Sequence, residues 1–128
     1  MAQKLVEKSR AAPVAQTSRH EERKRRTFPK TTSKQRRILF AINDRRMYGL
    51  EIQALIKECT GGREEISISS LYPLLHSLEK RELVQSEWGD EALCGARRRY
   101  YRLTELGRAL LDREIADYND LLQGRYSR

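Results

Sequence analysis

The sequence lacks long hydrophobic runs and is poor in cysteine, histidine and tryptophan, and each shortage removes a class of protein. Its longest apolar stretch is only a few residues, so nothing in it reads as a membrane-spanning helix or a secretory signal, and a soluble, cytoplasmic chain is expected. Two cysteines, Cys59 and Cys94, stand 35 positions apart with no CxxC partner and no histidine at ligand spacing, which excludes a zinc site of the usual kind. Cys59 continues an apolar stripe and is read as a small buried hydrophobe, whereas Cys94 falls in a loop. Of the two histidines, His20 lies in the N-terminal segment and His76 has no evident acid and nucleophile partners, and no glycine-rich phosphate loop occurs, so no enzyme and no cofactor are expected.

Acids are the minority charge. Lysine and arginine number 26 against 18 aspartates and glutamates, a net +8 over 128 residues. The excess is uneven: residues 1–30 hold nine bases and three acids, so the other 98 residues carry only +2. Residues 1–30 also contain Pro13 and Pro29 and few large apolar side chains, too few to offset chain entropy, and are read as a flexible basic arm. Its cluster Arg23, Lys24, Arg25 and Arg26 is either a phosphate contact or a solvating tail.

Periodicity organises the rest. Thr31 to Arg46 reads as a helix capped by Thr32 or Ser33, burying Ile38, Leu39 and Ile42 and exposing Lys34, Arg36 and Arg37, with Asn43 and Asp44 ending it. A second helix is expected from Met47 or Tyr48, with Tyr48, Ile52, Leu55, Ile56 and Cys59 on one face, stopping at Gly61 and Gly62. The alternation of Ile66 and Ile68 about Ser67 predicts a short strand over 65–68.

A third helix follows. Leu71, Leu74, Leu75 and Leu78 fall at i, i+3, i+4 and i+7, the stripe of a helix packed on a core. The opposite face carries Ser69, Pro73, His76 and Lys80, flanked by Ser70, Tyr72 and Ser77, with no acid among them, so it can meet a polyanion without repulsion. Proline is tolerated in the first helical turn, which places the start at Ser69 or Ser70.

Two strand-like runs, VQSEW and RRRYYRL, then flank a loop with the turn residues Gly89, Asp90 and Gly95. Alternation puts Arg98, Tyr100 and Arg102 on one face and Arg97, Arg99, Tyr101 and Leu103 on the other. The arginines either meet phosphate or pair with Glu87, Asp90 and Glu91. Trp88, the only tryptophan, is read as a core or cross-strand residue. From Thr104 a last helix carries two stripes: Leu106 and Leu110 for the domain core, and Leu111, Ile115, Tyr118 and Leu122 at the a/d rhythm of a helix–helix seam. That seam either folds back on its own domain or pairs with a second copy.

Three helices, a small wing and a terminal helix define a mainly α winged helix-turn-helix. The segments Tyr48-Gly49-Leu50-Glu51-Ile52, Ser70-Leu71-Tyr72-Pro73-Leu74-Leu75, Leu78-Glu79-Lys80-Arg81-Glu82-Leu83-Val84 and Arg98-Arg99-Tyr100-Tyr101-Arg102-Leu103-Thr104-Glu105-Leu106-Gly107 closely resemble the PadR family of transcriptional regulators, over about Leu39 to Leu111. The resemblance implies a dimeric DNA-binding repressor, with a recognition helix over 69–82 in the major groove, a wing over 84–103 on backbone or minor groove, and the last helix dimerising. The expected organisation is an arm (1–30), a winged-helix domain (31–104) and a dimerisation helix (105–128).

On that reading the partners are a second copy and double-stranded DNA at a palindromic operator, with no membrane. Ser69, Ser70, Tyr72 and His76 would reach bases beside Pro73. Lys34, Arg36, Lys80 and Arg97, Arg98 and Arg99, with Tyr100, would hold the backbone, and the helix start at Tyr48 and Gly49 would offer amides to a phosphate. The competing reading is a winged helix that binds protein and leaves the Ser69 to Lys80 face idle. Two departures stand out. Glu82 occupies a position where the family usually has glycine, one that often needs a positive φ, and the long basic arm is not a general family feature. Some members bind phenolic effectors, but the final helix here is short and has no tryptophan, so an effector is not supported.

Overall fold

The computed structural model describes residues 27–90 and 97–125. The first helix, α1 (Ser33–Ile42), is set by a reciprocal cap: the Thr32 hydroxyl accepts the Gln35 amide at 3.2 Å, and the Gln35 side chain accepts the Thr32 amide at 2.9 Å. Asn43 ends it with φ 49°, a conformation asparagine tolerates better than most residues. Ile38, Leu39 and Ile42 are buried as expected, but the helix is shorter at both ends than the 31–46 read from the sequence.

Met47 and Tyr48 do not open the second helix. They form a two-residue strand, β1 (Met47–Tyr48), and α2 (Gly49–Cys59) begins after it. Ile52 and Ile56 enter the core and Leu55 packs against it, but Cys59 is exposed, since the stripe runs past the core edge in the last turn. Gly61 and Gly62, at φ 61° and 80°, make the left-handed exit from α2 that a side chain would resist.

The strand expected over 65–68 is absent. Ile66 is buried and its carbonyl accepts the Gln53 amide side chain at 2.8 Å, while Ile68 already begins α3 (Ile68–Lys80). The sheet has no need of that segment, because β1 occupies the third place. Helix α3 buries Leu71, Leu75 and Leu78 completely. It starts before the Ser69 or Ser70 expected, which leaves Pro73 as its sixth residue rather than in the first turn. The ring removes one helical hydrogen bond to the Ser69 carbonyl, a loss that water can make good because Ser69 lies exposed.

After α3 the chain reverses through Glu82 at φ 62°, with the Leu83 amide bonded back to the Leu78 carbonyl at 3.0 Å. The positive φ expected at this position is present, on a glutamate. Strands β2 (Val84–Trp88) and β3 (Arg99–Leu103) pair antiparallel, from Val84 opposite Leu103 to Trp88 opposite Arg99. β1 adds to the other edge of β3 through Met47 opposite Tyr101 and Tyr48 opposite Tyr100, giving the order β1-β3-β2. Met47, Val84 and Tyr101 turn into the core shared with α1, α2 and α3, and burial pushes the Tyr101 phenol above its usual range, opposed by Arg99.

The last helix, α4 (Glu105–Gln123), is capped by Thr104, whose hydroxyl accepts the Gly107 amide at 3.0 Å and donates to the Glu82 carbonyl. At Gly107 an added Cβ would lie 2.0 Å from the Leu83 carbonyl oxygen, so the helix rests directly on the backbone that leads into β2. Leu110 is buried, as expected. Leu111, assigned to the seam, is only 1% exposed within its own chain and has no area left for a partner. Ile115, Tyr118 and Leu122 do lie exposed, joined by Leu121. No helix among the described residues is long and apolar enough to cross a membrane.

Candidate nucleic-acid interface

The α3 surface opposite the core carries Ser69, Tyr72, Pro73, His76 and Lys80, all exposed, with Ser70 and Ser77 half-buried at its edges. At its start the Ser67 hydroxyl lies 3.1 Å from both the Ser69 and Ser70 hydroxyls, so the three serines form one polar cluster. The surface has hydroxyl, imidazole and ammonium groups but no carboxylate, matching the sequence reading. Its one neighbouring acid, Glu79, turns toward the wing.

Tyr72 is held by a close approach. Its ring lies against Gly49, where an added Cβ would stand 2.7 Å from the Tyr72 hydroxyl oxygen. This contact, together with a hydrogen bond from the Tyr48 amide to the Glu51 carboxylate at 3.1 Å, corrects one expectation. The start of α2 is not an open cradle for a phosphate: the Tyr48 amide is taken, and Gly49 is buried under Tyr72. Arg36 is also diverted, donating to the Thr31 carbonyl at 2.7 Å and to its hydroxyl at 3.3 Å. Lys34 remains exposed on α1.

On the wing, Arg99 reaches the Glu79 carboxylate at 3.8 Å and lies 5.1 Å from the centre of the Trp88 ring, while the Ser86 hydroxyl also donates to Glu79. Glu79 therefore ties α3 to both β2 and β3. Arg97 donates to the Gly89 carbonyl at 3.2 Å, and the Arg98 guanidinium lies 4.6 Å from the Tyr48 ring centre. Tyr48 meets Tyr100 edge-on at 5.6 Å, and Arg46 covers Tyr100 at 3.8 Å.

The outer face of the sheet is thus a ladder of alternating rings and guanidiniums. Its acid is Glu87, shared by Arg46 at 2.8 Å and Arg102 at 3.5 Å. The Arg46 hydrogen bond, aided by both positive charges, holds the Glu87 carboxyl below its usual range despite the opposing effect of burial. Of the acids expected to pair with the wing arginines, Glu87 does so with Arg102; Glu91, like Cys94, lies outside the described residues.

Sequence reasoning missed Arg46 and the bracing role of Glu79. Arg46 reaches Glu87 and Tyr100 on the sheet only because β1 follows it directly, and a two-residue strand leaves no periodic signal. Glu79 was visible as an acid beside the striped face, but its partners lie across a turn and a hairpin. Among the described residues no group of histidine, cysteine, aspartate and glutamate side chains could hold a metal ion.

A three-stranded sheet packed on three helices, with the third presenting an exposed polar face beside a two-stranded wing, is a winged helix-turn-helix. Residues 38–113 match the family described as Transcriptional regulator PadR-like family, and the chain belongs to it. The family comprises transcriptional regulators, so the protein is a regulator and not an enzyme. The chain is 33% identical over 84 residues to an uncharacterized protein from Lysinibacillus sphaericus, spanning 66% of this chain and 76% of that relative. Its fold is similar to an X-ray structure of a PadR-like transcription factor from Bacteroides fragilis, with TM-score 0.60, 29% identity, and coverage of 70% of this chain and 84% of the other. It shares its fold with Bacillus subtilis PadR, solved in complex with operator DNA, at TM-score 0.58 and 20% identity, covering 65% of this chain and 46% of that one.

Proposed function

We propose that the protein is a sequence-specific DNA-binding repressor that acts as a homodimer on a palindromic operator. The observation that carries the reading is the acid-free, exposed face of α3 braced by Glu79 to an arginine-bearing wing. In this arrangement Ser69, Ser70, Tyr72 and His76 meet base edges in the major groove, and Pro73 lies flat between them. Lys80, Arg97 and Arg98 hold phosphates, with Lys34 at the periphery, while Arg99 and Tyr100 stiffen the wing. Membership of a family of transcriptional regulators supports the reading.

The face that reads bases is nearly uncharged, so affinity comes from elsewhere. Residues 1–30, with their net +6, form an arm that supplies sequence-independent attraction to the phosphate backbone. Residues 31–104 form the winged-helix domain, and 105–128 the dimerisation helix, whose seam is Ile115, Tyr118 and Leu122 with Leu121 in place of Leu111. The protein works in the cytoplasm, at the nucleoid.

Gel-shift titration against a selected palindrome and a scrambled duplex at several salt concentrations tests this. Preference for the palindrome persists at every salt, while log affinity falls with log salt by about 0.9 per phosphate neutralised. Deleting residues 1–30 lessens that slope and keeps the preference; loss of the preference would refute the assignment of specificity to α3. Tyr118→Asp with Leu122→Asp halves the sedimenting mass if the seam is right. In vitro transcription from a promoter overlapping the operator falls when the protein is added, and a rise would overturn repression.

A further inference from the structure

Apart from the face just described, four arginines from three parts of the fold converge on one cavity. Asn43, Asp44, Arg45 and Arg46 in the turn from α1 to β1, Arg102 near the end of β3 and Arg108 in α4 line a space of about 280 Å³. None of the residues assigned above to the operator lines it.

The charges do not balance. Arg46 and Arg102 share the single carboxylate of Glu87, at 2.8 and 3.5 Å. Arg108 donates to the Asn43 side-chain oxygen at 2.9 Å and pairs with Asp112 at 3.1 Å. Arg45 donates to the Ala41 carbonyl at 2.7 Å and forms no ion pair among the described residues. Four guanidiniums thus face three carboxylates, and two of these, Glu87 and Asp112, are not part of the lining. The lining itself holds four guanidiniums and one carboxylate, Asp44, so positive charge is in excess in a concave space where like charges repel. Guanidinium forks match phosphate oxygens in charge and shape.

We propose that this cavity binds one phosphate group, presented either by the backbone of DNA flanking the operator or by a free phosphorylated molecule. The phosphate neutralises the excess charge and joins the α1–β1 turn, the sheet and α4, so its binding stiffens the attachment of the last helix to the winged-helix domain. Binding of free phosphate stands independently of the DNA reading; only the flanking-backbone source rests on it.

The test uses arginine side-chain 15N NMR of the full chain, titrated with inorganic phosphate and, separately, with chloride at matched ionic strength. Phosphate is expected to shift the Nε signals of Arg45, Arg102 and Arg108 saturably, and Arg45→Gln to weaken the response about tenfold. Shifts equal to those from chloride, or an unweakened response in Arg45→Gln, overturn the proposal. Arg102→Gln is a second variant, and melting curves of both check that they fold. The source is then read by gel shift on operator duplexes with and without about ten added flanking base pairs. Arg45→Gln weakening only the longer complex assigns the site to backbone phosphate; equal binding of both, with phosphate binding lost, assigns it to a free molecule. Wild-type protein that binds neither duplex but still takes phosphate refutes the DNA reading and leaves the site standing.

Discussion

Replacing Glu82 by glycine should make the protein more stable. Glu82 sits at φ 62°, in the left-handed region, which costs an L-residue about 1 to 2 kcal/mol. Its side chain is exposed, and its backbone makes the contacts that matter: the amide bonds to the Glu79 carbonyl at 3.0 Å, and its own carbonyl accepts the Thr104 hydroxyl. Glycine keeps both bonds and removes the steric penalty, while the greater freedom of its unfolded chain takes back roughly 0.5 to 1 kcal/mol. The net gain is about 0.5 kcal/mol, or about 2 to 4 °C in melting temperature for a domain of this size.

Urea and thermal unfolding of wild type, Glu82→Gly and Glu82→Gln measure it. The glutamine variant separates the backbone from charge, because Glu79, Glu82 and Glu105 border one shallow groove and removing any one lowers their mutual repulsion. Gly above Gln, with Gln close to wild type and the order unchanged in high salt, is the expected pattern. A glutamine variant that gains as much as glycine would show that φ is not the cause and would sink the reasoning.

Three further outcomes are expected. Gly107→Ala places a methyl 2.0 Å from the Leu83 carbonyl oxygen, where both neighbours are backbone, and should cost roughly 2 to 3 kcal/mol in urea unfolding; a loss below that of an ordinary surface change would mean that α4 does not rest on β2 as described. Gly49→Ala should displace Tyr72 and weaken operator binding more than binding to a scrambled duplex, whereas equal weakening of both would place Tyr72 outside base recognition. Glu87 has its folded-state pKa lowered from 4.5, so its contribution is present above that value and lost as pH falls through the lowered one. Stability measured between pH 5 and pH 3 should therefore fall less steeply in Glu87→Gln than in wild type, and parallel curves would count against the Arg46 contact.

Where local rules act alone, the sequence could be read almost to the residue. Thr32 and Thr104 cap helices because a hydroxyl beside a following periodic run has few other uses, and the four leucines of α3 are fixed by angle. The positive φ at Glu82 was legible only through the family resemblance, in which glycine usually stands at that position. The misreadings fall where segments compete for the same place. Ile66 and Ile68 have the alternation of a strand, but the open edge of β3 is taken by Met47 and Tyr48, whose two residues carry no period. Leu111 has the spacing of a seam, yet α4 packs on α1 and β3 of its own chain, so this part of the stripe is already covered. Pro73 lies deeper in its helix than expected because the carbonyl it strands faces water. At the candidate site, the polar face of α3 was evident from sequence, but the Glu79 brace and the closure of Gly49 by Tyr72 were not, since each joins elements that are distant in the chain.

The contact between Gly107 and Leu83 makes α4 a lever with its fulcrum at the root of the wing. From Gly107 to Gln123 the helix extends about 24 Å, at 1.5 Å per residue. A tilt of about 8° at that fulcrum would carry the far end through about 3.4 Å, the rise of one base pair. In the proposed dimer, where each far end grips its twin, such a tilt would shift one recognition helix by a whole step along the operator. In that proposed dimer the missing side chain at position 107 would be a matter of measurement as well as packing: it would deny the lever its play and so hold the distance between half-sites constant.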